Sequence, residues 1–138
     1  MREILFRGKR VDNGEWVEGL LFTYNGKHCI QLEGIECHDY GLYPRCYAEV
    51  IPESVSEFTS LTDKNGKKIF EGDIVKFGDI SGIINYSFGC YCVKTNKPDW
   101  KSRNNPAIDI VFNEYPNEIE VIGNITDTPE LLKGETNA

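Results

Sequence analysis

Long hydrophobic runs, histidine and excess positive charge are all scarce in this sequence. No apolar run approaches the roughly eighteen residues of a membrane-spanning helix, so we expect no transmembrane segment. A formal net charge of −7 weakens the case for binding to duplex nucleic acid, because that binding depends on Lys and Arg neutralising phosphates. The only histidines are His28 and His38, which leaves few candidates for catalysis near neutral pH.

The N-terminal residues do not predict a secretion signal. No apolar region follows Met1, since MREILFRGKR leads directly into charged, strand-like sequence, and we therefore expect a cytoplasmic protein with reduced thiols. An odd number of cysteines also argues against a closed set of disulfides. The five cysteines are Cys29, Cys37, Cys46, Cys90 and Cys92.

The spacing of the cysteines does not match a structural zinc site. Residues 29–46 follow a C-x7-CH-x7-C pattern, without the close C-x2-C pair that aims two sulfurs at one metal ion. Cys90 and Cys92 are expected on one face of a strand, where they fit equally well as two small buried apolar residues. We predict no metal ligands and no cofactor.

Catalytic and phosphate-binding motifs are absent. The chain contains no G-x-x-x-x-G-K-[ST], no G-x-G-x-x-G leading into a helix and no G-x-S-x-G. Glu71 and Asp73 flank a glycine, but a catalytic pair needs a carboxyl whose pKa is shifted in a cleft. We expect Asp73 instead to accept a hydrogen bond from a backbone amide of the turn. We therefore predict a non-enzymatic protein.

Two Asn-Gly steps predict tight β-hairpins. Asn65-Gly66 pairs 59–63 with 67–71 and leaves lysines at an exposed tip, while Glu71-Gly72 bends the chain into the next strand. Asn13-Gly14 favours a two-residue type I′ loop, because both residues tolerate positive φ. In that register the facing pairs are Val11 with Trp16, Phe6 with Leu21, and Gly8 with Gly19.

Short β segments rich in Val, Ile, Tyr and Phe fill the second half of the chain. Together they predict a small SH3-like barrel region over 61–138, with a short C-terminal helix that Thr128 caps. We expect a mainly β fold in which a hairpin-rich region, 1–60, packs on this barrel; because no linker separates them, one continuous domain is the alternative. The predicted strands of the second half are 73–77, 83–88, 90–94, 107–112 and 118–125.

Three segments carry a family resemblance: FRGKRVDNGEWVEG, LTDKNGKKIFEGDIV and VIGNITDTPELL, in this order. Together they resemble the YopX-like family of phage and prophage proteins. The sequence departs from the family pattern at Ser56, Glu57 and Ser60, where Gly, Gln and Gly are expected. The resemblance implies a largely β protein acting in the bacterial cytoplasm, with no established activity, so no functional residues are transferred from it.

A basic loop over 93–106 is the most suggestive functional feature. A tryptophan among cations can stack on a base or anchor a protein partner, although a solvated loop with its Trp folded back is the structural alternative. We predict a binding module for a host or phage protein, because the net charge disfavours nucleic acid. A single-stranded nucleic-acid-binding protein is the alternative, followed by a small metal-dependent enzyme, and self-association through open strand edges is a further prediction. The predicted contact residues are Trp100, Lys97, Lys101, Arg103 and Lys94.

Overall fold

Antiparallel β-strands dominate the computed structural model, which describes residues 3–32, 47–87, 89–95 and 106–131. The predicted mainly β class is confirmed. The chain divides into two compact units, residues 1–58 and residues 59–138. Strand β5 continues across the division, so each unit holds part of it.

The first unit is built on the strand order β4-β3-β2-β1-β5. Each neighbouring pair is antiparallel, and a single turn of 3₁₀ helix at Pro52–Ser54 precedes β5. The strands are β1 (Phe6–Lys9), β2 (Trp16–Tyr24), β3 (Lys27–Leu32), β4 (Tyr47–Glu49) and β5 (Ser56–Thr62).

In the second unit, β6 lies beside the end of β5, and a four-stranded sheet has the order β10-β7-β8-β9. This sheet is open, so the SH3-like barrel is not confirmed among the described residues. The elements are β6 (Lys68–Phe70), β7 (Asp73–Phe77), β8 (Ile80–Ser87), β9 (Cys90–Thr95), helix α1 (Ile108–Glu114) and β10 (Glu120–Asn124).

The first hairpin forms as predicted, but its register is shifted by two residues. The Arg10 N–H donates to the Glu15 carbonyl at 2.8 Å, so the loop is 11–14 and not a two-residue turn. Within it, Gly14 takes φ +74° and the Asn13 side chain accepts the Glu15 N–H at 2.9 Å. A shift of two preserves which face each side chain occupies, because strand side chains alternate with period two.

The prediction that Gly8 faces Gly19 is therefore wrong. Gly8 lies opposite Val17, and Gly19 lies opposite Phe6. Instead, a different neighbouring residue packs closely against each glycine. A Cβ at Gly8 would stand 2.8 Å from the Cβ of Val50, and one at Gly19 would collide with the Gln31 carbonyl.

Residues 107–112 were expected as a strand, but the structure places helix α1 at Ile108–Glu114. Ile108, Val111, Phe112 and Tyr115 recur at the three- and four-residue spacing of a helix face, and this face packs into the core. Here burial outweighs the strand preference of Ile and Val. In the described part of the chain, no helix has the length and apolarity needed to cross a membrane.

The core of the second unit lies between the four-stranded sheet and α1. Phe77 is fully buried and meets the Tyr115 ring edge-to-face, with centroids 5.0 Å apart. Such a pair adds stabilisation beyond the burial of area. The buried cluster comprises Ile69, Val75, Phe77, Ile80, Ile84, Tyr91, Val93, Ile108, Val111, Ile119 and Val121.

Beyond β10 the chain turns on side-chain hydrogen bonds. The Asn124 side-chain oxygen accepts the N–H groups of Thr126 and Asp127, at 3.0 and 2.8 Å. The Thr128 hydroxyl oxygen accepts the Asn124 N–H at 3.1 Å and so closes this turn. The Leu131 N–H donates to the Thr128 carbonyl, which begins a helical turn where the described residues end.

Candidate functional site

The turn after β5, residues 63–67, is held by the carboxylate of Asp63. One oxygen of Asp63 accepts the N–H groups of Asn65 and Lys67, at 2.8 and 2.9 Å, and the other accepts the Val121 N–H at 3.0 Å. Burial by itself would raise the pKa of this carboxyl, but the three N–H groups stabilise its charged form and the pKa lies below its ordinary value. Asp63 therefore joins the 63–67 turn to β10, which is a structural role.

The acid-Gly-acid step is also part of the backbone framework. Asp73 is 1% exposed, and one of its carboxylate oxygens accepts the Phe70 N–H at 2.8 Å, as the sequence predicted for a turn amide. Gly72 takes φ +88°, a conformation that glycine adopts without strain. Its N–H donates to the Ile84 carbonyl and its own carbonyl accepts the Ile125 N–H. The step thus bends the chain into β7 and links it to β8 and to the turn that follows β10.

A polar groove of about 310 Å³ lies in the second unit. Lys64 Nζ is 3.6 Å from a carboxylate oxygen of Glu120, and both side chains are about two-fifths exposed. An exposed pair of this kind contributes little stability and leaves no net charge. Neither Asp63 nor Asp73 lines the groove, so it does not gather the acidic motif into a cleft. Its lining residues are Lys64, Lys76, Gly78, Asn117, Glu118 and Glu120.

Most of the predicted basic-loop contacts fall outside the described residues. Lys94 is described: it lies on β9 opposite Ile83 and is exposed. It alternates with the buried Val93, so it projects from the opposite face of the strand. The four predicted contacts outside the described ranges are Lys97, Trp100, Lys101 and Arg103.

The described cysteines fall into one single thiol and one pair. Burial raises the pKa of the Cys29 thiol, and the nearby charge of Glu49 raises it further. Cys90 and Cys92 lie on one face of β9, as predicted, with their sulfurs 3.7 Å apart. Over the described ranges, no three Cys, His, Asp or Glu side chains form a group that could hold a metal ion. The other sequence candidates, Cys37, His38 and Cys46, lie outside these ranges.

The first unit displays an apolar surface that the sequence analysis missed. Leu20, Phe22 and Tyr24 alternate along β2 and therefore share one face of the sheet. The Tyr47 ring from β4 meets them edge-to-face, with centroids 5.7 Å from Phe22 and 6.1 Å from Tyr24. We call these four residues the aromatic patch.

The aromatic patch lies on the outer face of its sheet. Leu20 and Tyr24 are 55% and 49% exposed, whereas Ile30 and Ala48, which point to the other face, are 0% and 3% exposed. Cys29 shares the patch face but is 2% exposed. Because β3 lies between β2 and β4, the rings of Phe22 and Tyr47 meet above this small side chain.

Charged residues border the aromatic patch. Lys27 Nζ lies 3.7 Å from a carboxylate oxygen of Glu49 on the same face. Farther along that face, the Arg7 guanidinium lies 4.9 Å and the Lys9 ammonium 6.0 Å from the centre of the Trp16 ring, both within cation–π range. The surface therefore combines an apolar centre with polar edges. The sequence signal was ambiguous, because the run at 20–22, Leu-Leu-Phe, is apolar on both faces of β2.

Comparison with known proteins adds the family to this description. A search of curated proteins finds no match. The family model described as YopX protein matches residues 5–133, which cover most of the chain and both units. The resemblance noted from three sequence segments is thus confirmed. This chain belongs to the YopX protein family.

Proposed function

We propose that the protein is a non-enzymatic binding module and that its aromatic patch docks on a partner protein. The observation that supports this is the exposure of Leu20 and Tyr24 beside the paired rings of Phe22 and Tyr47. Aromatic side chains are enriched in the cores of protein interfaces, where they bury large areas at low entropic cost. A sheet also presents them without loop ordering, which reduces the cost of association.

The carboxylates of the second unit support a non-enzymatic function. Asp63 accepts three backbone N–H groups and its charged form is stabilised, whereas a general acid at neutral pH needs a raised pKa. Asp73 is buried against the turn amide of Phe70. Both groups are thus engaged in folding the chain.

Charge favours a protein partner over a nucleic acid. The patch border holds Lys27 close to Glu49, so part of its positive charge is already compensated. The whole chain carries a net charge of −7. Single-strand binding draws on a groove of uncompensated cations as well as stacking rings. A protein that offers an apolar anchor flanked by polar groups matches this surface better.

The proposed setting is a phage or prophage protein that acts on a host or phage protein in the bacterial cytoplasm. Membership of the YopX family supports this setting, because the family resemblance implies a phage or prophage protein of the bacterial cytoplasm. The basic loop with Trp100 stays a prediction for a second contact, and Lys94 is its exposed, described member.

Capture from a bacterial extract with matched variants tests the proposal. The full chain is used as bait, alongside a Leu20→Ser/Tyr24→Ser double variant and a Tyr86→Ser control. Tyr86 is 56% exposed but lies on β8, outside the aromatic patch. We expect a protein that the wild type and the control retain and the double variant loses, with the same pattern when that protein is purified and titrated directly.

Two results would contradict the proposal. Equal retention by all three baits would separate partner binding from the aromatic patch. Binding of a single-stranded oligonucleotide that weakens steeply with salt and is lost in Trp100→Ala would favour the nucleic-acid alternative.

A further inference from the structure

The paired thiols of β9 form a feature independent of the proposed docking surface. Cys90 and Cys92 are two positions apart on one strand, so both sulfurs project from the same face, and they lie 3.7 Å apart. Cys90 is exposed and Cys92 is 3% exposed. One sulfur is therefore accessible from solvent while the other is held in the fold.

Oxygen atoms from the neighbouring strand surround this pair. Ser87 and Asn85 lie opposite Cys90 and Cys92 in the β8–β9 register, so their side chains share the thiol face. The Ser87 carbonyl oxygen accepts hydrogen bonds from both thiols, at sulfur-to-oxygen distances of 3.6 Å for Cys90 and 3.8 Å for Cys92. The side-chain oxygen of Asn85 is buried without a hydrogen-bond partner. A buried oxygen without a hydrogen-bond partner is unfavourable unless something binds it.

The geometry disfavours a disulfide between the two thiols. Two steps along a strand separate Cα atoms by about 6.6–6.8 Å, the upper limit of the range that disulfides span. Closing the sulfurs from 3.7 Å to a bond of about 2.05 Å would move both side chains and leave the bridge at that limit.

Metal coordination needs no such movement. Two thiolates bound to one tetrahedral zinc ion at about 2.3 Å each lie about 3.8 Å apart. The observed sulfur separation of 3.7 Å matches this spacing. The sequence argument against zinc depended on the missing C-x2-C pair, which serves to bring two sulfurs together in a turn. In an extended strand, the C-x-C spacing brings them together instead.

We infer that Cys90 and Cys92 form a two-thiolate site for a zinc-class divalent ion, with the Asn85 side-chain oxygen as a third donor. Binding replaces the two thiol protons by the metal and releases both to solvent. The described residues provide no third Cys, His, Asp or Glu ligand. The fourth position is therefore open to water or to an external ligand, as in zinc sites that are not purely structural.

The test uses the full chain, reduced, with Cys37→Ser and Cys46→Ser to remove the thiols outside the described residues. Zinc alone is titrated calorimetrically, and cadmium alone serves as a spectroscopic probe through its sulfur-to-metal absorption. We expect one ion per chain, and affinity reduced by about ten-fold or more in Cys90→Ala and in Cys92→Ala. Asn85→Ala should weaken binding by a smaller factor. Cys29→Ala, which removes the thiol of the first unit, should leave it unchanged.

The outcomes that overturn the inference are distinct from loss of folding, which circular dichroism of each variant monitors. Absence of the cadmium–sulfur absorption in the folded parent chain would overturn it, and so would equal affinity in Cys90→Ala, whose side chain is exposed. Binding seen only when Cys37 and Cys46 are present would overturn it as well. Unchanged affinity in Asn85→Ala would overturn the assignment of the third donor.

Discussion

The two units differ in where their large apolar side chains lie. In the second unit, most of those described belong to one buried cluster between a sheet and a helix or pack against it. In the first unit, many lie at the surface, including two members of the aromatic patch. Among the described residues, the exposed large apolar side chains are Ile4, Val11, Leu20, Tyr24 and Ile51 in the first unit, and Tyr86 and Ile125 in the second.

From this difference we infer a structural role for the patterned segment of the second unit and a binding role for the first unit. The acid and glycine residues at 63–73 form the most patterned part of the sequence, yet their contacts are backbone hydrogen bonds that hold turns. The first unit has less pattern and more exposed apolar area, which is a property of binding surfaces. The regular sequence motifs at 63–73 stabilise the fold, whereas the proposed binding surface is inferred from the exposure of its side chains. The following variants test that division, in order of decreasing effect on stability.

Phe77→Ala should cause the largest loss of stability. Phe77 is fully buried and pairs with Tyr115, so truncation leaves a cavity that costs about 3–5 kcal/mol. Phe22→Ala in the half-buried aromatic patch should cost about 1 kcal/mol. Urea unfolding followed by circular dichroism measures both. Equal losses would contradict the contrast between a packed core and an exposed patch.

Asp63→Asn should reduce stability by about 2–3 kcal/mol, because hydrogen bonds to a charged acceptor are strong. The new amide group also places a donor against one of the three N–H groups that Asp63 accepts, from Asn65, Lys67 and Val121. Urea unfolding at neutral pH gives the value. A loss within experimental error would show that the turn does not depend on this carboxylate.

The same carboxylate predicts a pH dependence. The native pKa of Asp63 is lowered, so its stabilisation is fully present above the unfolded pKa of about 3.9 and is lost as pH falls through the native value. The stability difference between wild type and Asp63→Asn should therefore shrink as pH decreases below about 4. Unfolding midpoints across this range check the sign, and a difference that grows on acidification would contradict it.

Gly8→Ala should cost about 1–2 kcal/mol, because the added methyl group meets Val50 inside the first unit. A double-mutant cycle with Val50→Ala sharpens the test. The second substitution makes room for the first, so the combined loss should be smaller than the sum. Additive losses would show that Val50 is not the residue that occupies the space above Gly8.

Leu20→Ser/Tyr24→Ser should have the smallest effect on stability, about 0.5 kcal/mol or less per site, since both side chains are largely exposed. Partner capture should nevertheless be lost. A large loss of stability in this variant would mean that the aromatic patch supports the fold of the first unit.

Local chemistry made the turns predictable from sequence. Asn65-Gly66 and Glu71-Gly72 were placed correctly, because positive φ at glycine is decided by a few neighbouring atoms, and Gly66 and Gly72 have φ of +82° and +88°. The amide contact of Asp73 was placed for the same reason. Strand 73–77 also matched β7, since its Val, Ile and Phe residues are bounded by those turns.

Non-local packing made the rest unpredictable. Helix α1 replaces a predicted strand because Ile108 and Val111 reach a core assembled from distant strands. The first hairpin closes through a four-residue loop, 11–14, and the Asn13 side chain accepts the N–H of Glu15 directly after that loop. Predicting the aromatic patch requires knowing which face of β2 is covered by the rest of the unit. It also requires knowing that Phe22 of β2 meets Tyr47 of β4.

Hydroxyl-radical footprinting of the captured complex tests the central claim most directly, because it reports the exposure of individual tyrosines. Tyr24 and Tyr86 are 49% and 56% exposed in the chain alone, so both should react when the protein is free. With the partner bound, we predict strong protection of Tyr24 and unchanged labelling of Tyr86. Protection of Tyr86 with Tyr24 still reactive would contradict the account.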